Sequence, residues 1–304
     1  MIPILHSEKY LLHDTGYGHP ERPERIQACA DALKASDFAH ELVWQEPIPA
    51  DPSQILLAHT ETHLINVREI CFSGGGFMDP DTPVSSASYE IGLLSAGAWL
   101  QGVEAVTGND RPAFVLSRPP GHHAEKDRAM GFCLFSNCAL AAKYAIDRNL
   151  AKRVAIFDWD VHHGNGTQDI VQSDENIAYC STHQFPFYPG TGAEWEKGDH
   201  NNVLNIPLSA GCDGNDYMDV FKNKVAPFLK NWEPDLLIIS SGFDSARDDP
   251  LANMNLVPED FAEMALGCLE IQPRTLVGLE GGYSLKALAD STVTVTRELL
   301  GHTR

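Results

Sequence analysis

The sequence predicts a single α/β domain built on a parallel sheet, and three observations carry that reading. Six short apolar, β-rich runs recur at 113–117, 153–158, 177–182, 202–208, 235–241 and 275–280. Helix-like segments at 137–148, 216–232 and 258–271 alternate with several of them. No internal repeat, low-complexity tract or Pro/Ser-rich linker divides the chain, so residues 1–304 are read as one domain. Strands that are apolar on both faces need helices on both sides, which is the arrangement of a parallel sheet.

Taken in order, most of these strands run directly into a cluster of polar, glycine or aromatic residues. "AFVLS" (113–117) opens into "RPPGHH", and the run ending at Phe157 opens into "DWDVHHGNG". "IAYCST" (177–182) leads to "HQFPFYPGTG", "DLLIISS" (235–241) to "GFDSARDDP", and "TLVGLE" (275–280) to "GGY". Each cluster therefore lies just past the carboxyl end of a predicted strand. Parallel α/β sheets form their ligand crevices along that edge.

Composition sets limits. The net charge of −20 disfavours nucleic acid, whose phosphates attract a basic face. An acidic surface either steers cationic substrates or simply keeps the protein dispersed. Seven cysteines, at 29, 71, 133, 138, 180, 212 and 268, form no CxxC pair and read as reduced thiols of a cytoplasmic protein. The start, "MIPILHSEKYLLHD", lacks a signal-peptide pattern, and no run approaches the length of a membrane span.

The stretch "DWDVHH" packs Asp158, Asp160, His162 and His163 into six residues after a buried strand. Such groups are costly to bury unless they are paired or bind a metal. Asp160 and His162, spaced i and i+2, point the same way by strand alternation and can share one ion. Asp244, past another strand, can supply a third ligand, and three ligands with an open position are the pattern of a catalytic zinc. His163 points away by the same alternation and is expected in a structural hydrogen bond. His122 and His123 are either further ligands or, the preferred reading, the acid/base pair, with Asp158 and Asn165 as hydrogen-bond partners. Tyr283, after two glycines, is a candidate oxyanion donor. Phe132 and Tyr188 are plain core or the walls of a narrow apolar channel.

The motifs "GHPERPERI" (18–26), "RPPGHHA" (118–124), "GFCLFSN" (131–137), "FDWDVHHGNGT" (157–167), "PFYPGTG" (186–192), "SSGFDSARDDPL" (240–251) and "LEGGY" (279–283) run across nearly the whole chain. Together they resemble those of the zinc-dependent histone deacetylases and their bacterial relatives, including acetylpolyamine amidohydrolases. The resemblance implies the arginase/deacetylase fold, one domain with a parallel sheet of about eight strands and flanking helices. It implies one zinc held by Asp160, His162 and Asp244, and potassium near Asp158, Asp160, His162 and Ser181. His123 becomes general base and acid, His122 its electrostatic aid, and Tyr283 the group that polarises the acyl carbonyl. Asp158 partners His122. Asn165, where class I enzymes carry aspartate, partners His123 as in class II.

By the same resemblance, Gly131, Phe132 and Tyr188 would line the acyl-lysine channel. Tyr188 stands where many relatives have phenylalanine. Arg25 falls near the acetate exit, and Asp81 matches a rim aspartate. Leu251 occupies the position of a glutamate gatekeeper in polyamine-selective relatives. That difference favours an acyl-lysine protein or peptide over an acylated amine such as an acetylpolyamine. Two rival readings fit less well. A two-metal hydrolase would need a carboxylate where Ala246 stands, and an inactive acyl-binding module would have lost a ligand, a tandem histidine or the tyrosine. The sequence leaves the oligomeric state open.

Overall fold

The computed structural model describes residues 1–302. Ten strands are present among them. They are β1 (Ile2–Leu5), β2 (Leu42–Gln45), β3 (Gly75–Asp79), β4 (Thr82–Ser85), β5 (Ala113–Val115), β6 (Val154–Asp158), β7 (Ile177–Gln184), β8 (Val203–Leu208), β9 (Leu236–Ser241) and β10 (Thr275–Leu279). β3 and β4 form a separate antiparallel hairpin. The other eight make one sheet in the order β2-β1-β5-β10-β9-β6-β7-β8. Every neighbouring pair in it is parallel.

All six predicted strands are present with ends moved by no more than a few residues, β5 being the shortest. Their alternation feeds two apolar layers. Ala155 and Phe157 pack into one with Phe114, Leu237 and Val277. Val154 and Ile156 pack into the other with Val115, Ile238 and Leu276. Helices close both layers, among them Pro23–Ala35, Ser88–Asn109, Asn137–Asp147, Pro258–Ile271 and Leu285–His302.

The segment predicted as one helix over 216–232 runs from Gly214 to Trp232 with a single π turn at Phe221–Val225. Pro227 brings no N–H to the ladder, and the wider turn falls just before it. Asp213 caps the start, its carboxylate accepting the amides of Asn215 and Asp216.

The strand order explains the convergence read from sequence. β5, β10, β9 and β6 are consecutive in the centre of the sheet. The loops after them carry 118–123, 280–283, 242–249 and 159–163, so residues distant in sequence share one edge.

Candidate active site

β6 ends at Asp158, so Asp160 and His162 sit on the bend beyond it. Contrary to the expectation from sequence, strand alternation does not orient them. Two successive aspartate turns do so instead. Asp158 Oδ1 accepts the amide of Asp160 at 3.2 Å, and Asp160 Oδ1 accepts that of His162 at 2.9 Å. Asp244 arrives from the loop after β9, fixed by the Val161 amide on its Oδ1 at 2.8 Å. His163 makes the structural contacts expected of it, to Thr191 Oγ1 and Gln168 Oε1.

Asp160, His162 and Asp244 are all buried, with ligand atoms within 4.8 Å of one another. His162 Nδ1 lies 3.1 Å from both Asp160 Oδ1 and Asp244 Oδ2. Neighbouring ligands of a tetrahedral ion with ~2.0–2.1 Å bonds stand about 3.3 Å apart, so the spacing fits. The charge fits too. Burial and the charge of Asp160 push the Asp244 carboxyl well above its usual range, a repulsion that a dication relieves. Gly281 donates its amide to Asp160 Oδ2 at 2.9 Å. A Cβ on it would meet Asp244 Oδ2 at 2.2 Å, so only glycine lets the backbone pass here.

The tandem histidines are held differently. His122 Nδ1 stands 3.2 Å from Asp158 Oδ2, which also accepts the Tyr179 hydroxyl at 3.0 Å. His123 Nδ1 stands 2.8 Å from Asn165 Oδ1. Asn165 must present its NH₂ to Glu125 Oε1, an acceptor only, at 2.7 Å. Its oxygen therefore faces His123, whose Nδ1 carries the proton, leaving Nε2 with a free lone pair. Burial opposes charging of both rings. At His122 the carboxylates of Asp160 and Asp158 outweigh burial and push the imidazole up to about 10. At His123 burial is reinforced by the neighbouring imidazoles of His122 and His162, holding the ring well below its usual range. A neutral ring thus lies beside a charged one.

A cavity of about 220 Å³ reaches this cluster, lined by Asp81, His123, Gly131, Phe132, His162, Phe187, Tyr188, Leu251 and Tyr283. All but Phe187 are residues that the sequence or the resemblance singles out. Phe187 escapes both, although it stacks on His162 with ring centroids 5.4 Å apart. Asp249 escapes them too: its buried carboxylate accepts the amides of Tyr283 at 2.6 Å and Leu251 at 2.9 Å, placing both wall residues from one point. Arg25 is not in the wall. It lies over the Tyr283 ring at 4.9 Å and donates to the carbonyls of Gly282 and Glu280. Ser181 pairs in register with Asp158 across β6 and β7, its hydroxyl on His183.

Comparison with known proteins decides the family. The histone deacetylase domain matches residues 19–299. This chain belongs to the histone deacetylase family. It is similar to an uncharacterized protein of Synechocystis sp., 49% identical over 99% of this chain and all of the relative. It is also similar to the histone deacetylase-like amidohydrolase of Pseudomonas aeruginosa, 37% identical over 93% of this chain and 77% of that one. Among solved structures, the HD domain of HDA15 superimposes with a TM-score of 0.95 at 35% identity, covering 99% of this chain and 90% of that one. The chain is thus a deacetylase-family hydrolase acting on amides, on the fold that HDA15 shares.

Within this deacetylase the motif 18–26 has a second use that no local pattern reveals. Glu21 is fully buried and takes Arg118 in a two-pronged ion pair at 2.9 and 2.7 Å, with Arg25 at 3.0 Å. These arginines outweigh burial and hold its carboxyl well below the usual range. Arg118 also donates to the carbonyls of Tyr10 and His13. Removing one partner of a buried pair typically costs about 3–5 kcal/mol. Glu21→Gln is therefore expected to lower Tm by on the order of 10 °C in scanning calorimetry. A Tm unchanged within about 2 °C would show that the network is not stabilising.

Proposed function

We propose that this enzyme removes acetyl or other acyl groups from the ε-amine of lysine in proteins and peptides, using one zinc ion held by Asp160, His162 and Asp244. The observation that supports it best is the cavity itself. Gly131, Phe132, Phe187, Tyr188 and Leu251 give it uncharged walls, Asp81 is the one carboxylate in its lining, and it reaches His162 of the triad, His123 and Tyr283. An acylated lysine side chain is long, thin and neutral, and such walls suit it. Leu251 itself offers a cationic amine no partner, where polyamine-selective relatives carry a glutamate, which favours lysine over acetylpolyamines.

When bound, zinc supplies a Lewis acid for the acyl carbonyl and acidifies the attacking water. His123 takes a proton from that water at Nε2, its tautomer fixed through Asn165 and Glu125. The Tyr283 hydroxyl donates to the developing oxyanion. His122, paired with Asp158, stabilises negative charge alongside and, with His123, returns a proton to the leaving amine. Ala246 stands where a bridging carboxylate would be needed for a metal pair, so one ion is the expected count. Potassium would sit near Asp158, Asp160, His162 and Ser181.

The test is turnover of an acetyl-lysine peptide against acetylputrescine and acetylspermidine, with metal analysis and a chelator control. The expected result is one zinc per chain, chelator-sensitive activity and higher kcat/KM on the peptide. Two tightly bound manganese ions, or a clear preference for the polyamines, would overturn it.

A further inference from the structure

Tyr17 is the most exposed large apolar side chain among the described residues, at 109% of its reference area. It contributes nothing to the core, yet it is not on a loose segment. The His19 amide donates to the Gly16 carbonyl at 3.4 Å, closing a tight turn with Tyr17 at its second position. Gly18 in the third has φ +79°, the value a type II turn demands there. Both ends of the turn are tied down. Asp14 accepts the Gly16 amide at 2.9 Å and donates its own amide to Ser85 of β4. The Thr15 hydroxyl donates to the Glu21 carbonyl, and the His19 ring accepts the Glu21 amide at 3.1 Å.

The turn also touches the cavity wall. The His19 ring meets Phe132 edge-on with centroids 4.7 Å apart, and its Nε2 donates to the Asp81 carbonyl at 3.2 Å. Phe132 and Asp81 both line the cavity. Two residues span at most about 7 Å, so Tyr17 stands close to this mouth. An extended chain advances about 3.3 Å per residue, so side chains two to four positions from a lysine in the channel pass by the ring. Asp14 is exposed three residues before it and Asp81 lies at the cavity, with the exposed Arg22 five residues after it, and the chain as a whole carries −20. A fully presented ring on an acidic protein is suited to a cation lying over its face.

We propose that Tyr17 is a docking residue for polypeptide substrates, its ring receiving a lysine or arginine that flanks the acylated lysine. This rests on the lysine reading above and adds to it a sequence preference and a residue that sets it. A free acylated polyamine held in the channel places no flanking side chain on the turn.

The experiment compares an acetyl-lysine peptide carrying arginine two residues to either side, the same peptide with alanine there, and acetylputrescine. The zinc-loaded full chain is assayed as wild type, Tyr17→Ser and Tyr17→Phe. Because Tyr17 contributes nothing to the core, neither variant endangers the fold, and matching Tm values check this. Wild type is expected to favour the arginine peptide by about 2- to 5-fold in KM, the range of an exposed cation–π contact. Tyr17→Ser is expected to erase that preference, Tyr17→Phe to keep it, and acetylputrescine turnover to be the same in all three. Equal KM for the two peptides in wild type, or a preference that survives Tyr17→Ser, overturns the role of Tyr17 and leaves the lysine reading standing. Turnover of acetylputrescine without turnover of either peptide overturns both.

Discussion

Tyr283→Phe is expected to keep the metal and the fold while losing about 10²–10³-fold in kcat, the usual cost of one oxyanion donor. The ring is fixed by contacts the variant retains: the Arg25 guanidinium over one face at 4.9 Å and Phe132 edge-on at 5.9 Å. The amide of residue 283 still reaches Asp249. Only the hydroxyl disappears, from a residue that lines the cavity. Burial holds the phenol well above its usual range, so it stays protonated and able to donate across the working pH. The loss should therefore fall on kcat, with KM for an acetyl-lysine peptide little changed and zinc per chain unaltered. Full turnover in the variant would remove Tyr283 from the mechanism. Lost zinc would instead recast it as structural.

How much of this site the sequence discloses depends on the range of the interactions. Asp160, His162, His122, His123 and Tyr283 are visible because each comes after an apolar run that reads as a strand, and β5, β6, β9 and β10 lie side by side. The alternation argument does not describe how Asp160 and His162 come to share a side, since the strand stops at Asp158 and aspartate turns complete the geometry. Glu125, Asp249 and Glu21 stay hidden. Each acts on a partner dozens of residues away, so even where it lies inside a recognisable motif, as Glu21 and Asp249 do, its neighbours in sequence do not show what it holds. The edge of the sheet is hidden for another reason. "IPIL" and "LVWQ" are four-residue strands, too short for periodicity to separate them from coil. The hairpin β3–β4 opens on a run of glycines at 74–76, a composition that reads as loop. Yet its Asp81 and Thr82 hold the amides of Gly131 and Phe132 in the channel wall.

Asp244→Asn is expected to abolish activity by a different path, through the metal itself. Asparagine keeps the size of the side chain, and its oxygen can still accept the Val161 amide as Asp244 Oδ1 does at 2.8 Å. That contact turns the new NH₂ toward His162 Nδ1 and the ion, where Asp244 Oδ2 now stands 3.1 Å away. A donor then replaces an anionic ligand, and the triad is left with one carboxylate and one imidazole. Zinc should fall far below one per chain at concentrations that saturate wild type, and turnover should drop by at least about 10³-fold. Stability separates this outcome from simple misfolding. Asp244 and Asp160 are both fully buried and repel each other, so the neutral variant loses an unfavourable term when no zinc is added. Its Tm under chelator should match or exceed that of wild type, while the rise that zinc gives wild type should vanish. At free zinc about 1,000 times Kd that rise corresponds to about 4 kcal/mol. A variant that still binds one zinc per chain would exclude Asp244 from the ligand set. A variant unfolded even under chelator would show that its carboxylate holds the loop after β9 and not the ion.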